Sequence, residues 1–150
     1  MVIDDSNTVR RAAESALRGS GYDVVTAADG FSAMSQITDH HPDLIFIDIV
    51  MPRLDGYQAC ALIKRNQRFR DTPVVMLSSK DGLFDRARGR IVGAEAHINK
   101  PFSKADLLDA AALYVGEASN VDNDSEINDQ APSIAGFELE LGDSVSGWSR

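Results

Sequence analysis

Five residues that could bind a divalent cation and a phosphoryl group follow short apolar segments of the chain. They are Asp4, Asp5, Asp48, Ser78 and Lys100. Carboxylates that lie close together repel one another unless a cation neutralises them, and their oxygens are ligands that suit Mg²⁺. A lysine ammonium supplies positive charge to a phosphoryl oxygen, and a serine hydroxyl donates a hydrogen bond to it. An aspartate nucleophile, a divalent-ion site and a lysine are the groups that phosphoryl transfer to a carboxylate requires.

Strand-like and helix-like segments alternate along residues 1–118 and would place these side chains together. Apolar runs predict strands at 2–3, 23–27, 43–48, 73–78 and 96–99. Helical spacing predicts helices at about 7–18, 31–40, 57–66, 83–92 and 104–117. This order is typical of a (βα)5 doubly wound α/β fold around a parallel sheet. Ligands bind such sheets beyond the carboxyl ends of the strands, where all five residues would lie.

The second and fifth predicted helices carry signals for how they pack and begin. In the second, Phe31, Met34 and Ile37 recur at the spacing expected of a side that faces the core. Ser103 and Asp106 form a capping-box-like pair at the start of the fifth.

The composition limits the classes of protein and of site. The chain has 150 residues, 43% hydrophobic and 25% charged, which is enough for one domain with its own core. Cys60 is the single cysteine, so an intrachain disulfide is impossible and a cysteine-built metal site is disfavoured. No apolar run reaches the roughly 18 residues of a membrane helix, and the first five residues do not resemble a signal peptide. We therefore expect a cytoplasmic protein without membrane insertion.

Charge is distributed unevenly between the body of the chain and its end. The formal net charge is −8, of which −2 belongs to residues 1–118 and −6 to residues 119–150. A nearly neutral body with an acidic end disfavours nucleic-acid binding, which needs a basic surface. Residues 119–150 are rich in serine, asparagine, aspartate and glycine and are predicted to be a disordered acidic tail. Phe137–Leu141 alternates apolar and acidic residues and could alternatively add a strand to a partner's sheet.

Four motifs together resemble the bacterial response-regulator receiver domain. The intervals from Asp5 to Asp48 (43 residues), on to Ser78 (30) and on to Lys100 (22) fit that family. The resemblance covers residues 1–118 and implies a flavodoxin-like five-stranded parallel sheet in the order 2-1-3-4-5. Segments 51–57 and 78–85 are similar to single-domain receivers of the type IV pilus, twitching-motility chemosensory system. The motifs are Ile3-Asp4-Asp5-Ser6, Phe46-Ile47-Asp48-Ile49-Val50-Met51-Pro52 with Asp55-Gly56, Val75-Met76-Leu77-Ser78-Ser79, and Lys100-Pro101-Phe102.

The resemblance implies a phosphoacceptor and a magnesium site. Asp48 would accept the phosphoryl group and would also contribute to the metal site. Asp5 would bind Mg²⁺ directly and Asp4 would bind it through water. The backbone carbonyl of Val50 would be a further ligand.

The resemblance also implies the residues that contact the phosphoryl group and respond to it. Lys100 would contact a phosphoryl oxygen next to a cis Lys100–Pro101 bond, an isomer that X-Pro bonds permit. Ser78 would move to donate a hydrogen bond to the new phosphoryl group. His97 occupies the switch position, where the family often has tyrosine or phenylalanine, and so departs from that pattern.

The first predicted strand is short for its place in the implied sheet. It would lie between the second and third strands, yet only Met1, Val2 and Ile3 precede the acid pair. We therefore expect a few apolar residues upstream of Met1 in the native protein.

The function implied by the resemblance is signalling rather than enzymatic turnover. The chain would take a phosphoryl group from the phosphohistidine of a histidine kinase, catalysing only its own phosphorylation and dephosphorylation. It would then bind an effector protein, one of the pilus machinery, as a monomer.

Two other functions compete with this interpretation. A phosphate sink, or an interaction module that is never phosphorylated, could share the fold, although Asp5, Asp48 and Lys100 are all intact. An aspartyl phosphohydrolase would carry a second acid two residues after its nucleophile, where this chain has Val50.

Overall fold

One parallel sheet of five strands forms the centre of the protein. The computed structural model describes residues 1–79 and 83–116. The strands are hydrogen-bonded in the order β2-β1-β3-β4-β5, which confirms the predicted topology. Because β1 and β3 are neighbours, the residues that follow them reach the same edge of the sheet. The strands are β1 (Val2–Ile3), β2 (Thr26–Ala27), β3 (Ile45–Asp48), β4 (Val74–Ser78) and β5 (Ala96–Asn99).

Within residues 1–79 and 83–116, five helices complete the (βα)5 arrangement and cover both faces of the sheet. They are α1 (Asn7–Gly19), α2 (Gly30–His40), α3 (Gly56–Arg65), α4 (Leu83–Ile91) and α5 (Lys104–Tyr114). Successive strand side chains point to opposite faces and so supply two separate cores. Phe46 and Leu77 pack with α1 and α5, whereas Ile47 and Met76 pack with α2 and α3. None of the described helices is long and apolar enough to cross a bilayer.

Side-chain caps fix where the helices begin. Ser6 Oγ accepts a hydrogen bond from the backbone nitrogen of Val9 at 3.3 Å, so α1 starts two residues after Asp5. The predicted capping box of Ser103 and Asp106 is present at the start of α5. These contacts satisfy N–H groups that the first helical turn leaves unpaired.

The core-facing side of α2 agrees with the predicted one at Met34 and Ile37 but not at Phe31. Phe31 is 60% exposed, and the buried positions are Gly30, Ala33 and Ile37, with Met34 partly buried. A residue next to a buried position lies about 100° further round a helix, which turns Phe31 away from the sheet. The prediction was wrong at Phe31 alone, because the residue buried at the start of the helix, Gly30, has no apolar side chain that would mark it as core-facing.

β2 and α5 are shortened most relative to their predicted lengths, by three residues each. β2 contains two residues rather than five because it lies at the sheet edge and pairs only with the two-residue β1. α5 ends at Tyr114, and Gly116 follows with a φ of 93°, a left-handed conformation that terminates helices. The predicted acidic tail, residues 119–150, lies outside the described residues.

Candidate functional site

Three carboxylates meet at the carboxyl edge of the sheet. Asp4 follows β1, Asp48 ends β3, and these two strands are neighbours. Carboxylate oxygens of Asp4, Asp5 and Asp48 lie within 4.8 Å of one another. Asp4 is 0% exposed and Asp48 is 5% exposed, whereas Asp5 is exposed. The structure therefore brings together the three acids that the strand ends predicted, and it buries two of them.

Asp4 has a partner for each of its polar groups. Its backbone nitrogen donates to Ala27 O at 3.1 Å, and its Oδ1 accepts from the backbone nitrogen of Ser6 at 2.9 Å. Its Oδ2 accepts from Lys100 Nζ at 2.7 Å. Its carbonyl oxygen accepts from Nη1 of Arg10, also at 2.7 Å. The sequence reasoning missed Arg10, although an arginine at the start of the helix after the acid pair was a usable signal.

Lys100 supplies the positive charge that this edge needs. Its Nζ lies 2.7 Å from Asp4 Oδ2 and 3.2 Å from Asp48 Oδ1. Its backbone nitrogen donates to Ser78 O at 2.6 Å, and the Lys100–Pro101 peptide bond is cis. Burial by itself would lower the pKa of the ammonium, but the hydrogen bond to Asp4 and the charges of both carboxylates outweigh burial and raise it. Lys100 therefore stays charged and bridges the two buried acids.

The surroundings of Asp48 shift the ionisation of its carboxyl group. Its pKa is raised to about 6, first by burial and then by the charge of Asp4, while Lys100 opposes the shift. The ammonium of Lys100 and the guanidinium of Arg10 together do not balance three clustered carboxylates. The site is thus short of positive charge and rich in hard oxygen donors, and this donor set fits Mg²⁺.

Ser78 and His97 occupy neighbouring strands beside Asp48. Ser78 is buried at the end of β4, and Asp48 pairs with the residue before it, Leu77. His97 is buried on β5 and pairs with Met76, so it lies below the edge rather than at it. The structure therefore brings Ser78 to the acidic edge and places His97 beside β4 within the sheet.

Gly56 makes a close approach to the Asp48 backbone that sequence reasoning did not identify. A Cβ atom at this position would collide with Asp48 O and would lie 2.8 Å from Ile49 Cα. The nitrogen of Gly56 also donates to Ile49 O at 2.9 Å. The signal available was the Asp55-Gly56 pair, which reads as a simple turn. In the structure, a glycine here lets the start of α3 pack against the strand that carries Asp48.

Replacing Gly56 with alanine is expected to destabilise the protein by about 1–3 kcal/mol, because the new methyl group displaces backbone rather than a flexible side chain. Urea unfolding followed by circular dichroism would measure the change. Gly19→Ala is the matched control, since a Cβ at Gly19 meets nothing within 4 Å. We expect that control to be neutral or stabilising by up to about 1 kcal/mol. Equal effects of the two substitutions would contradict the steric interpretation.

The chain is similar in sequence to known regulators. A family profile described as the response regulator receiver domain matches residues 1–112. The chain is 61% identical over 122 residues to Protein PilG of Pseudomonas aeruginosa, covering 81% of this chain and 90% of that protein. It is 36% identical over 107 residues to the alkaline phosphatase synthesis transcriptional regulatory protein PhoP of Bacillus subtilis. That match covers 71% of this chain but 44% of PhoP.

Solved structures show the same relationship. The chemotaxis protein CheY4 of Vibrio cholerae superposes with a TM-score of 0.73 at 29% identity, covering 75% of this chain and 94% of CheY4. The receiver domain of a Francisella response regulator superposes with a TM-score of 0.70 at 28% identity, covering 75% and 92% of the two chains. Since the family profile spans most of the chain and the fold agrees, this protein belongs to the response regulator receiver domain family and is a homologue of PilG.

Proposed function

We propose that this protein is a phosphorylation-dependent switch in a two-component chemosensory pathway. It takes a phosphoryl group from the phosphohistidine of a histidine kinase onto Asp48 and then changes its binding to an effector protein. The observation that carries the proposal is the surroundings of Asp48. Its buried carboxylate has oxygens of Asp4 and Asp5 within 4.8 Å and the ammonium of Lys100 at 3.2 Å.

The proposed transfer uses groups that already converge on this edge. A carboxylate oxygen of Asp48 attacks the phosphorus atom, and the phosphorus–nitrogen bond breaks as the phosphorus–oxygen bond forms. The electron pair of the broken bond stays with the imidazole nitrogen of the kinase. Lys100 stabilises the negative charge on the phosphoryl oxygens. Water later hydrolyses the acyl phosphate, so the protein catalyses only its own phosphorylation and dephosphorylation.

Four groups would hold Mg²⁺ in this proposal. Asp5 and Asp48 would bind it directly, with the backbone carbonyl of Val50, and Asp4 would bind it through water. The bound ion supplies positive charge that offsets the carboxylates and the incoming phosphoryl group. The hydrogen bonds of Asp4 support its binding of Mg²⁺ through water, because each of its carboxylate oxygens already accepts a hydrogen bond from the protein.

Ser78 and His97 would carry the signal away from the phosphorylated site. The hydroxyl of Ser78 would donate a hydrogen bond to the phosphoryl group on the neighbouring strand. His97 would respond to that movement because it lies on the neighbouring strand. It pairs with Met76 of β4, two residues before the pair formed by Ser78 and Asn99. Burial of both side chains supports a coupled change, because a shift of one in a packed interior displaces its neighbours.

The proposed pathway controls type IV pilus twitching motility, with an effector in the pilus machinery. The support is the 61% identity to PilG and the resemblance of segments 51–57 and 78–85 to twitching-motility receivers. We place the receiver domain at residues 1–118 and an acidic tail at residues 119–150, in a cytoplasmic monomer. The net charge of −8 supports a protein that binds no nucleic acid.

Phosphorylation of Asp48 is tested by incubating the protein with acetyl phosphate and Mg²⁺ and measuring the intact mass. We expect the mass to rise by one phosphoryl group in the parent and to stay unchanged in Asp48→Asn. Asp39→Asn is the matched control, because Asp39 is exposed on α2 and its substitution removes the same charge. Labelling of Asp48→Asn to the level of the parent would overturn the proposal.

The pilus role is tested in a Pseudomonas aeruginosa strain that lacks PilG. We expect the parent chain to restore twitching and Asp48→Asn to fail at equal expression. If Asp48→Asn restored twitching as well as the parent, the protein would be an interaction module that works without phosphorylation.

A further inference from the structure

We infer that Arg10 is a positioning residue for the acidic site: its guanidinium fixes the peptide that joins Asp4 to Asp5, and so aims the carboxylate of Asp5 at Asp48. Nη1 of Arg10 donates to Asp4 O at 2.7 Å, and Nη2 donates to Asn7 Oδ1 at 3.3 Å. Side chains on a helix point toward its N-terminus, which lets an arginine in the first turn of α1 reach back over the acid pair. The inference rests on the proposed function in one respect, namely that Mg²⁺ binds at this edge.

The contact matters because Asp5 differs from Asp4 in how it is held. The carboxylate oxygens of Asp4 accept hydrogen bonds from Ser6 and Lys100, and its side chain is buried. The side chain of Asp5 is exposed and is not held by packing, so its direction depends largely on the backbone that carries it. The carbonyl that Arg10 holds belongs to the peptide plane immediately before Asp5. A hydrogen bond from a charged donor at that plane restricts its rotation and, with it, the direction of the Asp5 side chain.

The neighbouring Arg11 separates this positional effect from a general effect of charge. Arg11 has the same charge but is exposed, and it makes no contact with the acid pair among the described residues. A positive charge near a cation site repels the cation, so removing one by electrostatics alone should strengthen Mg²⁺ binding. Positioning predicts the opposite sign at Arg10, because Asp5 loses its alignment. Removing the charge of Arg10 is therefore expected to weaken Mg²⁺ binding, whereas removing that of Arg11 is not.

The experiment compares Arg10→Met, Arg10→Lys and Arg11→Met with the parent. The concentration of Mg²⁺ that gives half the maximal rise in thermal unfolding temperature measures binding without phosphorylation. The Mg²⁺ dependence of the phosphorylation rate with acetyl phosphate measures the same site in use. We expect Arg10→Met to raise the half-saturating Mg²⁺ concentration about fivefold in both assays, with a smaller change in the maximal rate. Arg10→Lys should recover part of the affinity, and Arg11→Met should leave it unchanged or slightly tighter.

Unchanged or tighter Mg²⁺ binding in Arg10→Met would overturn the inference, as would equal weakening in Arg11→Met. If Arg10→Met does not fold, Arg10→Lys alone tests the inference, because lysine keeps the charge but cannot make both hydrogen bonds of the guanidinium. Weaker Mg²⁺ binding than in the parent would then support the inference, and unchanged binding would overturn it. If the parent is not phosphorylated, the proposed function is wrong. The Mg²⁺ dependence of the thermal unfolding temperature then still tests the role of Arg10.

Discussion

Replacing Asp48 with asparagine is expected to stabilise the folded protein by about 2–3 kcal/mol near neutral pH in metal-free buffer. The pKa of the Asp48 carboxyl is raised from 3.8 to about 6, chiefly by burial and then by the nearby charge of Asp4. Each pKa unit corresponds to about 1.4 kcal/mol, so holding this group ionised in the folded state costs that order of energy. Asparagine keeps the shape of the side chain and removes the charge. The residue proposed to carry the phosphoryl group is thus one that weakens the fold.

The pH dependence of this effect has a definite direction. Between about pH 4 and pH 6, the unfolded chain has lost the Asp48 proton while the folded protein still holds it. The stability of the parent should therefore fall as the pH rises through that interval and stay low above it. Asp48→Asn should lack that part of the fall, so the two proteins should converge near pH 4.

Urea unfolding in EDTA at about pH 4.5 and about pH 7.5 would measure the difference. Asp39→Asn is again the control, since it removes an exposed carboxylate and should follow the parent at both values. A parent protein equal to or more stable than Asp48→Asn at the higher pH would contradict the expectation.

The second large effect is expected at an ion pair on the opposite edge of the sheet. Lys64 Nζ lies 2.6 Å from Glu95 Oε1 and donates to Thr72 O at 2.7 Å. Glu95 Oε2 accepts from the backbone nitrogen of Val74 at 2.6 Å, at the start of β4. The side chains of Lys64 and Glu95 are 14% and 19% exposed. The pair therefore joins the end of α3 to the beginnings of β4 and β5 in a poorly hydrated position.

Replacing Lys64 with methionine is expected to destabilise the protein by about 2–3 kcal/mol, because Glu95 then keeps a largely buried charge without its counter-ion. Methionine retains the apolar part of the lysine side chain, so the loss of stability measures the contribution of the ammonium group. Adding Glu95→Gln removes the remaining charge, and the double variant should be more stable than Lys64→Met alone. Urea unfolding of the parent, Lys64→Met, Glu95→Gln and the double variant completes a double-mutant cycle.

The control for the ion pair is Glu14→Gln, which breaks the more exposed pair with Arg18 on α1. We expect this control to cost less than about 0.5 kcal/mol, since solvent screens such pairs. A cost for Lys64→Met as small as that of the control would show that the ion pair contributes little.

The strands and the acidic site could be predicted because both depend on local sequence. Apolar runs mark β3 and β4, and the chemistry-bearing residues stand directly after such runs. Parallel strands bring their carboxyl ends to one edge, so Asp4, Asp48 and Lys100 had to approach one another once the order of strands was known. That order came from the family resemblance rather than from periodicity.

What the sequence could not predict depends on contacts between distant segments. At the start of α2, Gly30 is buried instead of Phe31, because Gly30 approaches Leu54 closely, and it has no apolar side chain to indicate this. The ion pair of Lys64 and Glu95 joins residues 31 positions apart, and the sequence contains many other charged residues with which either could pair. The approach of Gly56 to Asp48 is likewise a property of the folded chain, because Asp55-Gly56 has the composition of an ordinary turn.

The contact of Lys100 with Asp4 also bears on how the protein is made. These residues are 96 positions apart, and the strand that Asp4 follows, β1, lies inside the sheet between β2 and β3. During synthesis, both buried acids leave the ribosome long before the lysine that balances them. A nascent chain that ends before β5 must bury Asp4 and Asp48 without the ammonium that contacts both carboxylates, which disfavours native packing of β1 and β3. Completion of the charge balance thus waits for the synthesis of β5 and of Lys100 after it, and this long-range contact favours late, cooperative folding of the domain.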